Sequence, residues 1–289
     1  MTDISVAPRV SVLMPVYKTK NEFLIEAIDS ILAQTFSDFE FLILDDCPTD
    51  NREHIVLSYN DNRIKYIKND TNLGITPSRN KLLEMARGEY IAVMDHDDVS
   101  LPNRFEKQVA YLDEHKDIGV VGSFIHKIVG KKDVKLPVED RDIKSGLMMK
   151  CVIVHPASMI RKSVLTENNI HYEEHYSPSE DYKLYCKLID YTNFYNIPEV
   201  LFNYRDHKNN TSRNQFDKME NATFEIWAEN EVNHPLLWKK FSLTQAIDVK
   251  TIRLFGCIPF LKIKRKGRFS EILLFDIIPI LKTKNSIKV

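Results

Sequence analysis

No apolar run in the 289 residues approaches the ~18 that a membrane-crossing helix requires. The opening stretch, MTDISVAPRVSVLMPV, lacks the basic segment and long apolar core of a secretory signal. The expectation is a cytoplasmic chain, soluble or resting on a membrane surface. Cysteine is sparse: Cys47, Cys151, Cys186 and Cys257 are scattered, and none forms a CxxC pair. That spacing excludes the usual paired-cysteine zinc and redox motifs and suits reduced thiols. Excess charge is missing too. Forty basic and 41 acidic residues leave a net charge of −1, so nothing in the balance points to nucleic acid.

What is present suits a sizeable core, with 43% hydrophobic and 28% charged residues. Val10–Val16 (VSVLMPV) is a continuous apolar run, as in a strand buried on both faces. Across 21–34, Phe23, Leu24, Ala27, Ile28, Ile31 and Leu32 recur at helical spacing, with Asn21 placed to cap. A second buried strand, EFLIL at 40–44, stops at Asp45-Asp46. A helix over 50–60, a strand over 63–68, a helix over 77–87 and a strand over 89–94 follow. This alternation predicts an α/β fold with a mostly parallel central sheet flanked by helices. In such sheets ligands sit at the carboxyl ends of the strands. Tyr17, Asp46 and the cluster Asp95, Asp97 and Asp98 all fall there.

After Pro102 the rhythm loosens. A helix over 102–115, strands over 118–129 and 152–160, a helix from 161, a helix over 179–190 and short strands over 194–196 and 200–204 are expected. This region supplies the second wall of a cleft. The expected organisation is a body over 1–215 in two halves, 8–101 and 102–215. A helical, basic extension occupies 216–289. From Lys250 onward, ten Lys or Arg face two acids, Glu271 and Asp276. LFGCIPFLKIK (254–264) repeats as LFDIIPILKTK (274–284). Such a tail fits an anionic membrane surface, packing on the body, or pairing of two subunits.

Carboxylates packed as densely as those of MDHDD invite two readings: a polar capped turn, or a site for a cation. The wider sequence favours the second. VSVLMPVYKTKNEFLIEAIDSILAQTFSDFEFLILDDCPTDN, NLGITPSRNKLLEMARGEYIAVMDHDD and SEDYKLYCKL resemble, in order, the motifs of inverting family 2 glycosyltransferases of the GT-A fold, over roughly 8–215. The resemblance implies a UDP-sugar donor and a glycan or lipid-linked saccharide acceptor, as in lipopolysaccharide or capsule assembly. It also implies a divalent metal, Mn²⁺ or Mg²⁺, since hard cations take oxygen ligands and stabilise a departing diphosphate.

Roles then follow by position. Asp97 is the direct metal ligand; Asp95 holds the ribose or donor sugar, or joins the metal through water; Asp98 is either a helix cap or part of the cluster. Pro15, Tyr17 and Asp46 hold the base. The family's DDGSTD stands here as DDCPTD, so the loop after Asp46 is altered. Arg79 meets the diphosphate or buttresses Asp95. Inversion needs a base for the acceptor hydroxyl, and Asp181 is that base, with Glu180 contacting a sugar. Arg205 and His207 close over the diphosphate, His207 as a candidate metal ligand. His155 is expected on the acceptor side. Two other readings stay open. A metal-dependent phosphohydrolase would want a nucleophilic Asp at the first strand end, where Pro15-Val16-Tyr17 stands. A non-catalytic sugar-nucleotide sensor or membrane-associated partner would not need Asp181.

Overall fold

A computed structural model describes residues 7–50, 52–207, 214–244, 247–254, 258–266 and 269–274, with side chains described through residue 240. The chain divides into two compact units, one running to Ala228 and the other starting at Glu229.

In chain order the first unit begins β1 (Val10–Val16), α1 (Asn21–Leu32), β2 (Phe39–Asp45), α2 (Glu53–Leu57), β3 (Ile64–Lys68), α3 (Ile75–Met85) and β4 (Tyr90–Val93). It continues with β5 (Val99–Ser100), α4 (Arg104–Glu114), β6 (Ile118–Lys127), β7 (Lys132–Val134) and α5 (Asp140–Leu147). Next come β8 (Met159–Arg161), α6 (Lys162–Glu167), α7 (Glu180–Leu188), β9 (Asn193–Tyr204) and α8 (Phe216–Asn233), whose last residues enter the second unit.

All seven residues of β1 and of β2 are buried, as suits mostly apolar central strands covered on both faces. α1 buries Leu24, Ala27, Ile28 and Ile31, the apolar stripe that its spacing predicts. Each large aliphatic side chain so buried contributes ~1.5–3 kcal/mol. Asn21 is the first helical residue, and Lys20 precedes it without a side-chain cap. Glu40 is 3% exposed inside β2. It is tolerated there because it accepts from the Ser11 hydroxyl at 2.7 Å, the Arg87 amide at 2.8 Å and the Lys65 ammonium at 3.1 Å.

The strands form one sheet in the order β3-β2-β1-β4-β8-β6-β9-β5, with β7 added to β6. The first four are parallel. β8 runs antiparallel to β4 and β6, so the sheet is mixed beyond β4. Register decides where the chemistry lies. Val16 pairs with Asp45, and Leu13 pairs with Val93. The segments after β1, β2 and β4 therefore leave the sheet along one edge. Tyr17, Asp46 and Asp95 sit side by side in sequence-distant loops for that reason.

Several expected elements differ. The strand expected over 152–160 is a 3₁₀ turn at His155–Ala157 followed by the short β8. Pro156 accounts for it, since proline offers no ladder donor. The two strands expected near 194–204 are one irregular strand, β9. The helix expected over 50–60 is only the five residues of α2.

The second unit contains α9 (Pro235–Thr244) and an antiparallel sheet of β10 (Ile247–Leu254), β11 (Ile258–Lys266) and β12 (Phe269–Leu274). The expectation of a helical extension therefore holds only as far as Thr244. The segment IPFLKIKRK alternates apolar and charged residues with period two over its second half, and IDVKTIRL is rich in β-branched residues. Both patterns favour strands over helices. Of the two repeat copies, the second lies outside the described residues after Leu274. Among the described residues, no helix is long and apolar enough to cross a membrane.

Candidate active site

The edge where the strands end opens into a cleft of about 1230 Å³ within the first unit. Its floor comes from Pro15 near the end of β1 and from the loops after β1, β2 and β4: Tyr17, Asp46, Asp95 and Asp97. α3 contributes Ser78 and Arg79, and the start of α7 contributes Glu180 and Asp181. Met149, Lys150 and Cys151 line the acceptor side, with Met219 and Thr223 from α8. His207 lies on the wall beyond β9.

Tyr17 is 40% exposed, so its ring is presented to the cleft rather than packed in the core. Lys18 follows with a φ of 46°, a left-handed conformation that costs a non-glycine residue energy. That turn leaves the Lys18 ammonium 5.1 Å from the centre of the Tyr17 ring.

Asp46 is 4% exposed and largely engaged by the protein itself. It accepts from the amides of Leu73 at 2.9 Å and Gly74 at 2.8 Å, and from the Asn69 side chain at 2.8 Å. The carboxylate thus holds the turn that starts α3. Gly74 precedes that helix with a φ of 90°, where a side chain would be strained. Expected as a base contact, Asp46 is placed here as a cleft residue that also fixes the loop beside it.

Arg79 ties the two halves together. Its guanidinium meets Glu180 at 2.5 Å and Asp95 at 3.5 Å, and lies 5.6 Å from the centre of the Tyr172 ring. Burial costs the cation, yet Glu180 and then Asp95 hold its pKa above even the usual guanidinium value. Glu180, 2% exposed, keeps Oε2 without a hydrogen-bond partner.

Three acids crowd the loop after β4. Burial raises the Asp95 carboxyl, with Arg79 opposing and Asp97 reinforcing. Burial, then Asp97 and Asp95, raise Asp98 well above the usual range. Asp98 does not cap α4, whose preceding residue is Asn103. It accepts from the Arg205 amide at 2.6 Å and leaves Oδ2 unpartnered. Asp97 meets the His207 Nε2 at 2.7 Å.

Asp181 faces the same cleft from the start of α7, accepting from its own helix at the Tyr182 amide, 2.7 Å away. Burial, then the neighbouring Glu180, push its carboxyl up to about 6, against Arg79. α7 is held by Tyr182, whose hydroxyl donates to the Leu147 carbonyl, and by Tyr185.

His155 is not brought to the cleft. It is 3% exposed, with Nδ1 at 2.8 Å from the Tyr185 hydroxyl and Nε2 at 3.1 Å from that of Tyr172. Burial, then Arg79, hold its pKa well below the usual imidazole range, so it is neutral. It serves the packing beneath α7. Arg205, expected to close over a diphosphate, instead grips the loop after β4 and α1.

Sequence reasoning missed Tyr172 and the 149–151 wall, which carry no recognisable pattern. Gln215, Met219 and Thr223 recur every four residues, and that helical spacing was a signal available for the α8 wall.

Metal-binding capacity is partial. Among the described residues, no group of three or more His, Cys, Asp or Glu side chains is assembled to hold an ion. Asp97 with His207, and Asp95 beside them, offer two oxygen donors and an imidazole. Burial is the main cause of the raised carboxyls of Asp95 and Asp98, with Asp97 adding to both, and a nearby cation would favour their ionised forms. Only Asp97 and His207 are in contact, so most of the shell of a hard divalent ion would have to come from a bound ligand and water.

Residues 11–168 match the family model described as glycosyl transferase family 2. An uncharacterized glycosyltransferase of Methanocaldococcus jannaschii is 37% identical over 208 residues, covering 68% of this chain and 71% of the relative. The Escherichia coli protein WfgD, a UDP-Glc:alpha-D-GlcNAc-diphosphoundecaprenol beta-1,3-glucosyltransferase, is 26% identical over 215 residues, covering 73% and 82%. The crystal structure of Staphylococcus aureus TarS 1-349 in complex with UDP superposes with a TM-score of 0.62 at 21% identity. That likeness, over 81% of this chain and 70% of TarS 1-349, is one of fold.

Proposed function

This chain belongs to glycosyl transferase family 2, a glycosyltransferase of the GT-A fold that works from nucleotide sugars, and from that premise we propose the reaction it performs. It moves a hexose or N-acetylhexosamine from a UDP-sugar to a hydroxyl of a glycan or lipid-linked saccharide, with inversion. The observation that carries this reading is the placement of Asp181 in one cleft with Tyr17, Asp95 and Asp97. A base on one wall and a nucleotide-binding strand edge on the other suit in-line displacement.

In this reading Tyr17 and Pro15 flank the base, with Asp46 ordering the loop beside it, and Asp95 holds the ribose or the donor sugar. Asp181 takes the proton of the acceptor hydroxyl as its oxygen attacks the anomeric carbon. The carbon–oxygen bond to the diphosphate breaks, and the diphosphate leaves with that electron pair. A carboxyl that ionises at about 6 is a stronger base than an ordinary aspartate yet is ionised at neutral pH. Asp97, His207 and Asp95 would hold a divalent ion, Mn²⁺ or Mg²⁺, which when bound stabilises the charge developing on the leaving diphosphate.

WfgD acts on a diphosphoundecaprenol-linked sugar, and that name supports a lipid-linked acceptor in surface polysaccharide assembly. The basic segment over 250–289 supports peripheral attachment to an anionic membrane face by charge.

The test is thermal unfolding with Mn²⁺, scanned against UDP, GDP, CDP and dTDP, beside Asp97→Ala and Asp181→Asn. A ligand bound only by the folded state raises the midpoint. UDP alone should raise it in the parent protein and in Asp181→Asn, which should have lost turnover. Absence of a shift with every nucleotide would overturn the donor reading.

A further inference from the structure

The segment after β9 was expected to reach toward the donor, and its arginine does something else. The Arg205 amide donates to Asp98 Oδ1 at 2.6 Å, and its Nε donates to the Asp97 carbonyl at 2.8 Å. The far end of the same guanidinium pairs with Glu26 on α1. Its plane lies over Phe23, 4.3 Å from the ring centre. Phe23 in turn packs against the imidazole of His207, with ring centres 5.6 Å apart, and His207 places Nε2 at 2.7 Å from Asp97. Three separate parts of the chain, α1, the loop after β4 and the end of β9, are thus joined by one side chain.

We propose that Arg205, with Phe23 and Glu26 of α1, is a positioning device that sets His207 against Asp97 and thereby fixes the geometry of the Asp97 side of the cleft. The inference rests on the reading of Asp97 and His207 as the pair facing the metal-bound diphosphate. Chemistry favours Arg over any other residue here. A planar guanidinium donates in two directions at once while its face packs on an aromatic ring. A lysine ammonium carries its three donors on one nitrogen and offers no planar fork to span the Asp97 carbonyl and Glu26. The Glu26 carboxylate is half exposed, so its ion pair alone adds little stability. Its value lies in orientation: the pair draws one end of the guanidinium to α1 while Nε donates to the Asp97 carbonyl. Nothing in the motif pattern marks Phe23 or Glu26. They are ordinary helix residues until the fold brings Arg205 onto them.

The experiment measures UDP binding by calorimetry, with Mn²⁺ and with EDTA, for the parent chain and for Arg205→Ala, Arg205→Lys, Phe23→Leu, Glu26→Gln, His207→Ala and the double variant Arg205→Ala/His207→Ala. Unfolding midpoints are recorded for each. Loss of a group that orients a metal ligand typically lowers metal affinity ~10–100-fold. Arg205→Ala and Arg205→Lys should therefore weaken Mn²⁺-dependent UDP binding by roughly tenfold or more, leaving binding in EDTA within about twofold. Phe23→Leu and Glu26→Gln should move the same quantity in the same direction by less. The double variant should lose little beyond His207→Ala, because the arginine acts through the histidine. Full additivity in the double variant would overturn the proposal. So would an Arg205→Ala protein that folds and binds UDP with Mn²⁺ as the parent does. If Arg205→Ala fails to fold, Phe23→Leu and Glu26→Gln decide alone, and unchanged Mn²⁺ dependence in both refutes the device. If the parent itself shows no Mn²⁺ dependence, the reading of Asp97 and His207 has failed, and the device falls with it.

Discussion

Removing the charge of Asp181 should make the protein more stable while abolishing its turnover. In the folded chain this carboxyl ionises at about 6, against 3.8 for an unperturbed aspartate. Burial is the main cause, with the charge of Glu180 adding to it. The sign follows from proton linkage. Between pH 3.8 and about 6 the folded state binds more protons than the unfolded one, so stability falls as pH rises through that window. Each pH unit of difference is worth 1.36 kcal/mol. The gap therefore costs up to about 3 kcal/mol at neutral pH, and roughly 1–3 kcal/mol once partial solvent access to the side chain is allowed for. Asp181→Asn keeps the shape and removes the ionisation. Urea unfolding at pH 7.5 should then show the variant ~1–3 kcal/mol more stable than the parent. The difference should shrink on acidification and close below the unfolded value of 3.8, where the carboxyl is protonated in both folded and unfolded states. The parent's kcat/KM should fall on the acid side with a midpoint near 6, as the base is protonated. Equal stability at pH 7.5 would refute the claim that this carboxylate is held in an unfavourable place. A stability gain that stayed undiminished below pH 3.8 would trace to something other than its charge.

Two other outcomes test the frame beneath the site. Gly88→Ala would place a Cβ 2.6 Å from the Ser11 amide nitrogen and 2.7 Å from the Val10 carbonyl carbon, both backbone atoms of β1. That overlap should lower stability by ~1–3 kcal/mol in urea unfolding, and parent-like stability would contradict the close approach. Glu40→Gln tests a depressed carboxyl: burial raises its pKa, but Ser11, Arg87 and Lys65 together bring it below the ordinary 4.5. Its contribution is present above pH 4.5 and is lost as pH falls through the lower folded value. The variant should thus be less stable than the parent by ~1–3 kcal/mol at pH 7, and the gap should close under acid. A pH-independent gap would exclude the ion network as its cause.

The strand edge was legible because its signals are local. A buried parallel strand writes itself as an apolar run, and the polar residue ending the run falls at the sheet's edge wherever the sheet forms. Tyr17, Asp46 and Asp95 were placed by that logic without any knowledge of register. What sequence could not supply was the inward or outward choice of each side chain. His155 follows an apolar stretch and precedes Pro156, which fits a cleft turn as well as a core turn. The tyrosines that claim it, Tyr172 and Tyr185, lie 17 and 30 positions away. Arg79 and Glu180 are 101 positions apart, so their pairing leaves no periodic trace. The extension after Thr244 was misread for a different reason: a short apolar repeat with lysines satisfies helical and strand templates alike. Only its β-branched content and local period of two separated them.

The charge balance of the cleft narrows how a nucleotide diphosphate can enter it. Asp95, Asp97, Glu180 and Asp181 line the space, and Asp98 lies directly behind. The buried cation among them, Arg79, is already committed to Glu180 and Asp95, with only its Nε lacking a partner. Arg205 is turned toward Glu26 and the Asp97 carbonyl. Lys18 and Lys20 stand at the Tyr17 and Phe23 side, each about 5 Å from an aromatic ring. Lys150 stands on the acceptor wall. A diphosphate approaching the aspartates therefore meets carboxylates whose charge the committed arginines do not offset. At an effective dielectric near 20, two like charges ~4 Å apart repel by ~4 kcal/mol. In the proposed reading a divalent cation bound at these carboxylates would offset that repulsion, and by reciprocity donor and cation would each raise the affinity of the other by the same factor. The carboxylates crowded at the end of β4 are held unfavourably in the free chain, by burial first and by neighbouring charge after it, and a cation bound there would relieve part of that unfavourable energy.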